Sequence, residues 1–395
     1  STFRVMFDLV NNETESTSSA IPDKHLRVLG GPWTFFKRLR ILCNGTIVED
    51  IDDYARVHEM FSIMTAKDSR ENVNGEAFGK SWDIKDGLYR DHDADNFLGI
   101  LPGESQTVLF QPLSGLLKQS KFLPLKYCPL VLELELTNDM KSPIVSDFPV
   151  TETPDEDFKL LNTSKLWQIQ NVQAKVDICI LDNALDNSYT EHILAGKSLP
   201  INYNTYVSQI QSTLSGTTGQ KKVRLNITRS LTRLKSVFIT LDKGVYGEAN
   251  YIGRKHWNDF YSPMHNYAGN HNRGFSMAGE FEAQIQLGSK LYPEYPIRSH
   301  AEAYYQLSKT LGVQSSKVHS FDISSAQYRD YRFVLGIDME KVIDAGYTGM
   351  NTRAGDILNI RFDHQSSLAG DYATSMHVVL HSDNIMEILS SGVQV

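Results

Sequence analysis

The chain has 395 residues, with 41% hydrophobic and 22% charged side chains and a net charge of −8 from 39 Lys and Arg against 47 Asp and Glu. These are ordinary globular fractions over a length that allows two or three domains, so disorder and coiled coil are excluded. The acidic balance argues against a coat for nucleic acid, which rests on clustered cations. No window approaches 18 consecutive apolar residues, and Ser1 to Val10 lacks a charged segment ahead of an apolar one, so neither a membrane span nor a signal peptide is expected.

In chain order, the first element is a strand: Phe3, Val5, Phe7 and Leu9 alternate with polar or charged neighbours, as a half-buried strand requires. Tyr54, Val57, Phe61 and Met64 fall at helical spacing. Leu132, Leu134 and Leu136 alternate with Glu133 and Glu135 as a second strand, and residues 138–165, rich in Asp, Pro, Thr and Ser, read as a long surface loop. Val176, Ile178 and Ile180 predict a further strand, followed by a short helix around Leu185 to Tyr189. Strands are then expected on Val223/Leu225/Ile227, Phe281/Ala283/Ile285/Leu287, Phe333/Leu335/Ile337, Leu358/Ile360/Phe362 and Met376/Val378/Leu380. Between the second and third of these, Ala301, Tyr304, Tyr305 and Leu311 make a helical stripe closed by Gly312.

Many strands, few helices and no regular βα alternation indicate an all-β chain of antiparallel sandwiches, and 395 residues suffice for two in tandem. The division is expected between Leu181 and Pro200, giving residues 1–190 and 191–395. A shift of 243 positions pairs Gly45 with Gly288, Val48 with Leu291, Glu59 with Glu302, Phe61 with Tyr304 and Met64 with Leu307, the mark of a strand, Gly turn, polar loop and helix used twice. Cys43, Cys128 and Cys179 are odd in number, far apart and set in apolar runs, and read as reduced core thiols.

No constellation compels an enzyme. Gly75 to Ser81 has three residues between its glycines where a phosphate loop needs four, and Asp91 to Asn96 lacks the glycine and the glutamate of a calcium loop. His256, His265 and His271 match no compact zinc spacing, and neither G-x-S-x-G nor H-E-x-x-H occurs. No catalytic residue, cofactor or metal site is expected. The aromatic, Asn-rich stretch from Tyr251 to Phe275 has the composition of a buried protein contact.

The run from Pro112-Leu113-Ser114-Gly115-Leu116-Leu117 through Tyr127-Cys128-Pro129 to Leu134-Glu135-Leu136 resembles the first sandwich of the double jelly-roll major capsid proteins of tailless double-stranded DNA viruses. Leu287-Gly288-Ser289-Lys290-Leu291-Tyr292-Pro293, followed by the Glu302 to Gly312 helix, is similar to the second sandwich of that family, as are Leu231 to Phe238 and His381 to Met386. The flavour is that of Polinton-like viruses, adintoviruses and their virophage and giant-virus relatives. The resemblance implies two tandem eight-stranded antiparallel jelly rolls with long loops and a few short helices. It implies a homotrimeric capsomer of pseudo-hexagonal outline that tiles an icosahedral shell in the virion. Penton and minor or cement capsid proteins would be further partners, with no direct nucleic-acid contact and an internal membrane left open.

On this reading the trimer contacts are expected in the loops Asp68 to Phe97 and Lys243 to Phe275, with Trp82, Tyr89, Tyr251, Trp257 and Tyr261 as aromatic anchors. The same aromatics could instead cap their own sandwich. Two other classes stay open: a minor capsid or receptor-binding protein, and a two-sandwich carbohydrate-binding protein or glycosidase. Acidic residues in the long loops predict that association of trimers into a lattice varies with ionic strength and divalent ions. Association measured by light scattering that is equal at low and high salt would contradict this.

Overall fold

The computed structural model describes residues 2–15, 24–26, 28, 30–65, 100–140, 142–144, 164–212, 219–242, 260, 262–263, 280–313, 323–330, 332–340, 349–352, 357–366 and 375–395. The first half contains strands β1 (Arg4–Asn11), β2 (Phe36–Cys43), β3 (Thr46–Asp52), β4 (Ser105–Phe110), β5 (Leu130–Leu136) and β6 (Trp167–Lys175), with helices α1 (Tyr54–Ile63) and α2 (Gly115–Lys118) between them. Helix α3 (Asn183–Leu194) leads to the second half: β7 (Leu199–Ser212), β8 (Gly219–Ile227), β9 (Leu234–Asp242), β10 (Glu280–Leu287), β11 (Lys290–Ile297), α4 (His300–Thr310), α5 (Ser325–Asp330), β12 (Leu335–Asp338), β13 (Leu358–Ser366), β14 (Ser375–Leu389) and β15 (Gly392–Gln394).

Every ladder between these strands is antiparallel. The first half forms two three-stranded sheets, ordered β4-β1-β6 and β3-β2-β5. The second forms β11-β10-β13-β8 and a five-stranded sheet in which β14 runs between β7 and β9, with β12 outside β9 and β15 folded back on the end of β14. Alternation along each strand decides its inner face. Val5, Phe7 and Leu9 are buried from β1, and Phe281, Ala283, Ile285 and Leu287 from β10. A phenylalanine sits at the centre of each half. Phe7 meets Phe35, Phe36 and Phe110 edge-on at 5.9–6.4 Å, while Phe281 stacks on Phe362 at 5.9 Å and meets Phe333 edge-on.

The repeat at 243 positions is a structural one. In each half a strand, a left-handed glycine (Gly45, φ 80°; Gly288, φ 58°), a second strand and a helix follow one another: β2, β3, α1 and β10, β11, α4. The stretch expected to be a polar loop after each glycine is itself the outer strand of its sheet, β3 or β11, because the glycine closes a tight hairpin. Ser299 caps α4 by accepting from the Glu302 N–H, and Gly312, at φ 66°, stands just beyond its end.

Two further expectations are overturned. Cys43 and Cys128 form a disulfide pair, both buried with Cα atoms 5.3 Å apart. The β2–β5 ladder pairs Cys43 with Leu130, which brings together two residues 85 positions apart. Cys179 is exposed and free. The segment Val176 to Leu181 belongs to no strand, and its apolar side chains lie exposed. Its ladder ends because β1, the neighbour of β6, starts at Arg4, paired with Lys175. Beyond that the Asp177 N–H donates to Thr2 Oγ1.

The halves meet along β3, α2 and β7, where Gly115 lies so close to the backbone of β7 that a Cβ would overlap the Asn204 carbonyl. Gly115→Ala is expected to lower stability by about 2–3 kcal/mol in urea unfolding. A change below about 0.5 kcal/mol would mean that α2 and β7 do not pack.

Candidate assembly surfaces

The five predicted anchors, Trp82, Tyr89, Tyr251, Trp257 and Tyr261, lie outside the described residues, as do His256, His265 and His271 and the segments Gly75 to Ser81 and Asp91 to Asn96. Phe260, inside the second of the two long loops, is described and fully buried. The Arg56 guanidinium of α1 lies 4.6 Å from its ring centroid, and the Phe260 carbonyl accepts from the Phe333 N–H at 2.8 Å. This aromatic caps its own molecule.

The residues that fix the two sandwiches relative to one another are polar. Val48 and Glu49 are consecutive in β3 and both buried, at a shift in the β2–β3 register that leaves Val48 without a partner in β2. On the side facing α2, the Glu49 carboxylate accepts from Ser114 Oγ, from the Gly115 N–H at 3.0 Å and from the Leu116 N–H at 3.3 Å. Ser114 in turn caps α2, its hydroxyl accepting from the Leu117 N–H. Thr205 of β7 adds a hydrogen bond from the second half, Tyr203 donates to the Val48 carbonyl at 2.9 Å, and Ser208 donates to the Asp52 carbonyl at 2.5 Å. Burial pushes Glu49 up to about 7 against the opposing pull of these donors.

A second polar contact stands beside it. Asp53 takes a left-handed conformation (φ 51°) at the start of α1, and its carboxylate lies 2.8 Å from His377 Nδ1 of β14. The other ring nitrogen of His377 lies 3.5 Å from Asp242 of β9. Arg56 donates to the Leu241 carbonyl at 3.0 Å. Sequence reasoning missed this joint. The one legible signal was Glu49 itself, a charge where the β3 pattern of Val48 and Ile51 leads to the core.

The outer faces divide into two kinds. On β2-β3-β5, Arg38 pairs with Asp50 and Asp52 and Arg40 with Glu133, so that face is a ladder of mutually satisfied charges. Asp50 is the main reason that Arg38 is held even more firmly protonated than usual. The surface from Gln170 to Leu185 is different: every residue in it is exposed, including Val172, Val176, Ile178, Ile180, Leu181 and Leu185.

The chain superposes along its whole length on solved viral capsid structures. It matches PBCV-1 VP54, as fitted into a cryo-EM reconstruction of the virophage Sputnik, over 100% of this chain and 88% of that one, with a TM-score of 0.57 and 10% identity. For the Faustovirus major capsid protein the shares are 98% and 85%, with a TM-score of 0.56 and 8% identity. The 3.5 Å structure of the Sputnik virophage matches over 99% and 81%, at 0.54 and 11%. The chain has the double jelly-roll fold. No protein-family model matches it, and no curated protein does. At such identities the double jelly roll is shared as a backbone arrangement, and the joint around Glu49 belongs to this chain's own side chains.

The folded chain holds a proton on Glu49 that the unfolded chain, with the ordinary carboxyl value of 4.5, has already released. The stability this contributes is complete below pH 4.5 and is lost as pH rises through about 7. Glu49→Gln removes that slope, so from pH 4.5 to pH 8 the variant should gain about 3 kcal/mol relative to the parent, whatever its constant offset. His58, which burial pushes down to about 3, is common to both chains and cancels. Urea unfolding across the range checks this, and parallel stability curves would show that Glu49 ionises normally in the fold.

Proposed function

We propose that the chain is a structural major capsid protein, which trimerises into pseudo-hexagonal capsomers that tile the icosahedral shell of a double-stranded DNA virus. The observation that carries this reading is the extent of the fold match: both sandwiches, in order, superpose on capsid proteins over 98–100% of this chain. A likeness confined to one sandwich would carry far less, because single jelly rolls serve many purposes. The repeat within the chain supports it physically. Two similar but unequal sandwiches held at one rigid joint give a trimer six comparable sides, which is the outline a hexagonal lattice needs.

The proposed division of labour is residues 1–190 for the first sandwich and 191–395 for the second. It is supported by the fact that the described strands of each sheet fall on one side of that division. On the loop side of the capsomer, the proposed contacts remain Trp82, Tyr89, Tyr251, Trp257 and Tyr261. Penton and minor capsid proteins are the proposed further partners, and the role calls for no catalysis.

Light scattering of the purified chain, with negative-stain images of the same fraction, tests this. A particle of three times 44.6 kDa with a six-sided outline is expected. A monomer that persists at high concentration would overturn the capsomer reading.

A further inference from the structure

Helix α3 is the connector between the halves, standing between β6 and β7. It is almost bare, with Ile193 as its one buried residue. Asp186, Thr190 and Ile193 fall at i, i+4 and i+7 and so share a face, and two neighbouring residues of the first half hold that face. Lys126 Nζ lies 2.7 Å from Asp186 Oδ2, and the Tyr127 hydroxyl is hydrogen-bonded to Thr190 Oγ1 at 2.7 Å.

Residues 119–129, which carry both of these side chains, are described throughout and form no strand. Cys128 is the single fully buried residue among them. Its sulfur is bonded to that of Cys43 at the end of β2, the central strand of β3-β2-β5. A line of contacts therefore runs from the middle of a sheet, through one disulfide, to the adjacent Tyr127 and on to the connector.

Two thiols need more room than one disulfide, because reduction puts a hydrogen on each sulfur and returns the pair to non-bonded separation. Both cysteines are fully buried, and a close-packed interior has no such room to spare. Of the two sides, β2 is fixed by ladders to β3 and β5, whereas residues 119–129 belong to no ladder and lie at the surface. The displacement falls on Cys128 and on Tyr127 beside it. A hydrogen bond of 2.7 Å is lost when its partners part by about 1 Å.

We propose that Cys43 and Cys128 form a redox clasp: as a disulfide they hold Lys126 and Tyr127 against α3 and fasten the connector to the first sandwich, and as thiols they leave it loose. The clasp is closed by thiol–disulfide exchange with an oxidant of the disulfide class. The thiolate of one cysteine attacks the oxidant's disulfide, forming a mixed disulfide and expelling one oxidant thiolate. The thiolate of the other cysteine then attacks the chain sulfur of that mixed bond, closing Cys43–Cys128 and expelling the second oxidant thiolate. Two electrons pass to the oxidant, and the two cysteine protons end on its thiols. Neither sulfur is exposed in the folded chain, so exchange precedes the packing of the first sandwich. Cys179, exposed and free, takes no part.

The test refolds the unfolded, reduced full chain in two ways, with dithiothreitol and with a mixture of oxidised and reduced glutathione. Titrated in denaturant, the glutathione product should show one thiol, that of Cys179, and the dithiothreitol product all three. Hydrogen exchange read by mass spectrometry should be about tenfold faster over residues 183–194 in the reduced product, with β10 and β13 equally protected in both. Three thiols in the glutathione product would overturn the clasp, as would equal exchange of α3 in the two products. Loss of protection in β10 and β13 together with α3 would also overturn it, since the disulfide would then support the whole fold and not the connector. Tyr127→Phe, refolded with glutathione and its disulfide in place, should quicken exchange in α3 alone. A variant that matches the parent would remove Tyr127 from the route and overturn the clasp as drawn.

Discussion

A buried carboxylate holds the two halves of this molecule in register. Glu49 is carried on β3 of the first sandwich, is surrounded by the backbone and hydroxyl donors of α2, and is bonded by Thr205 of the second sandwich. An acid taken out of water is costly unless its lone pairs are met, and here the donors come from both halves. Moving one sandwich against the other would therefore strip hydrogen bonds from a group that water cannot reach. Gly115 reinforces the constraint sterically, since only a residue without a side chain lets α2 approach the Asn204 carbonyl.

From that joint outward the architecture follows. The hairpin and helix that occur in both halves place α1 and α4 at comparable points of their sandwiches, but the environments differ. Helix α1 is wedged against the second half, with Arg56 over Phe260 and Phe61 against Phe238. Helix α4 packs on β12 with Ala303 and Leu307 and leaves Tyr305 outside. The same local device thus serves as an internal brace in one copy and as a border in the other. That asymmetry gives a fold of two similar halves distinct sides.

Much of this was legible in the residues. The alternation of Phe281, Ala283, Ile285 and Leu287, or of Val223, Leu225 and Ile227, locates a strand and its dry face without any tertiary information, because side chains alternate across a pleat. The stripes at Tyr54 and Tyr304 locate the helices, and the 243-residue repeat locates equivalent hairpins. The same rule misread Val176 to Ile180. Alternation reports that a face is meant to be dry, and it is silent on whether the cover comes from the same chain. The cysteines failed for a related reason, since pairing of Cys43 with Cys128 depends on the register of β2 against β5 across 85 residues. The aromatic anchors predicted from composition lie outside the described residues, and Phe260 shows that an aromatic in such a loop can serve its own core.

The amino-acid sequence by itself determined the class of the molecule: an acidic, all-β chain of two tandem sandwiches with one hairpin–helix unit used twice. Those features are local, set by side-chain periodicity, turn glycines and composition, and each can be read within a window of ten or twenty residues. Only the tertiary structure decided where the sandwiches lock, which charged side chain is buried between them, which cysteines meet and which apolar run is left uncovered. Each of these depends on residues tens to hundreds of positions apart arriving at the same point, and register, burial and charge pairing at that point do not exist until the chain has folded.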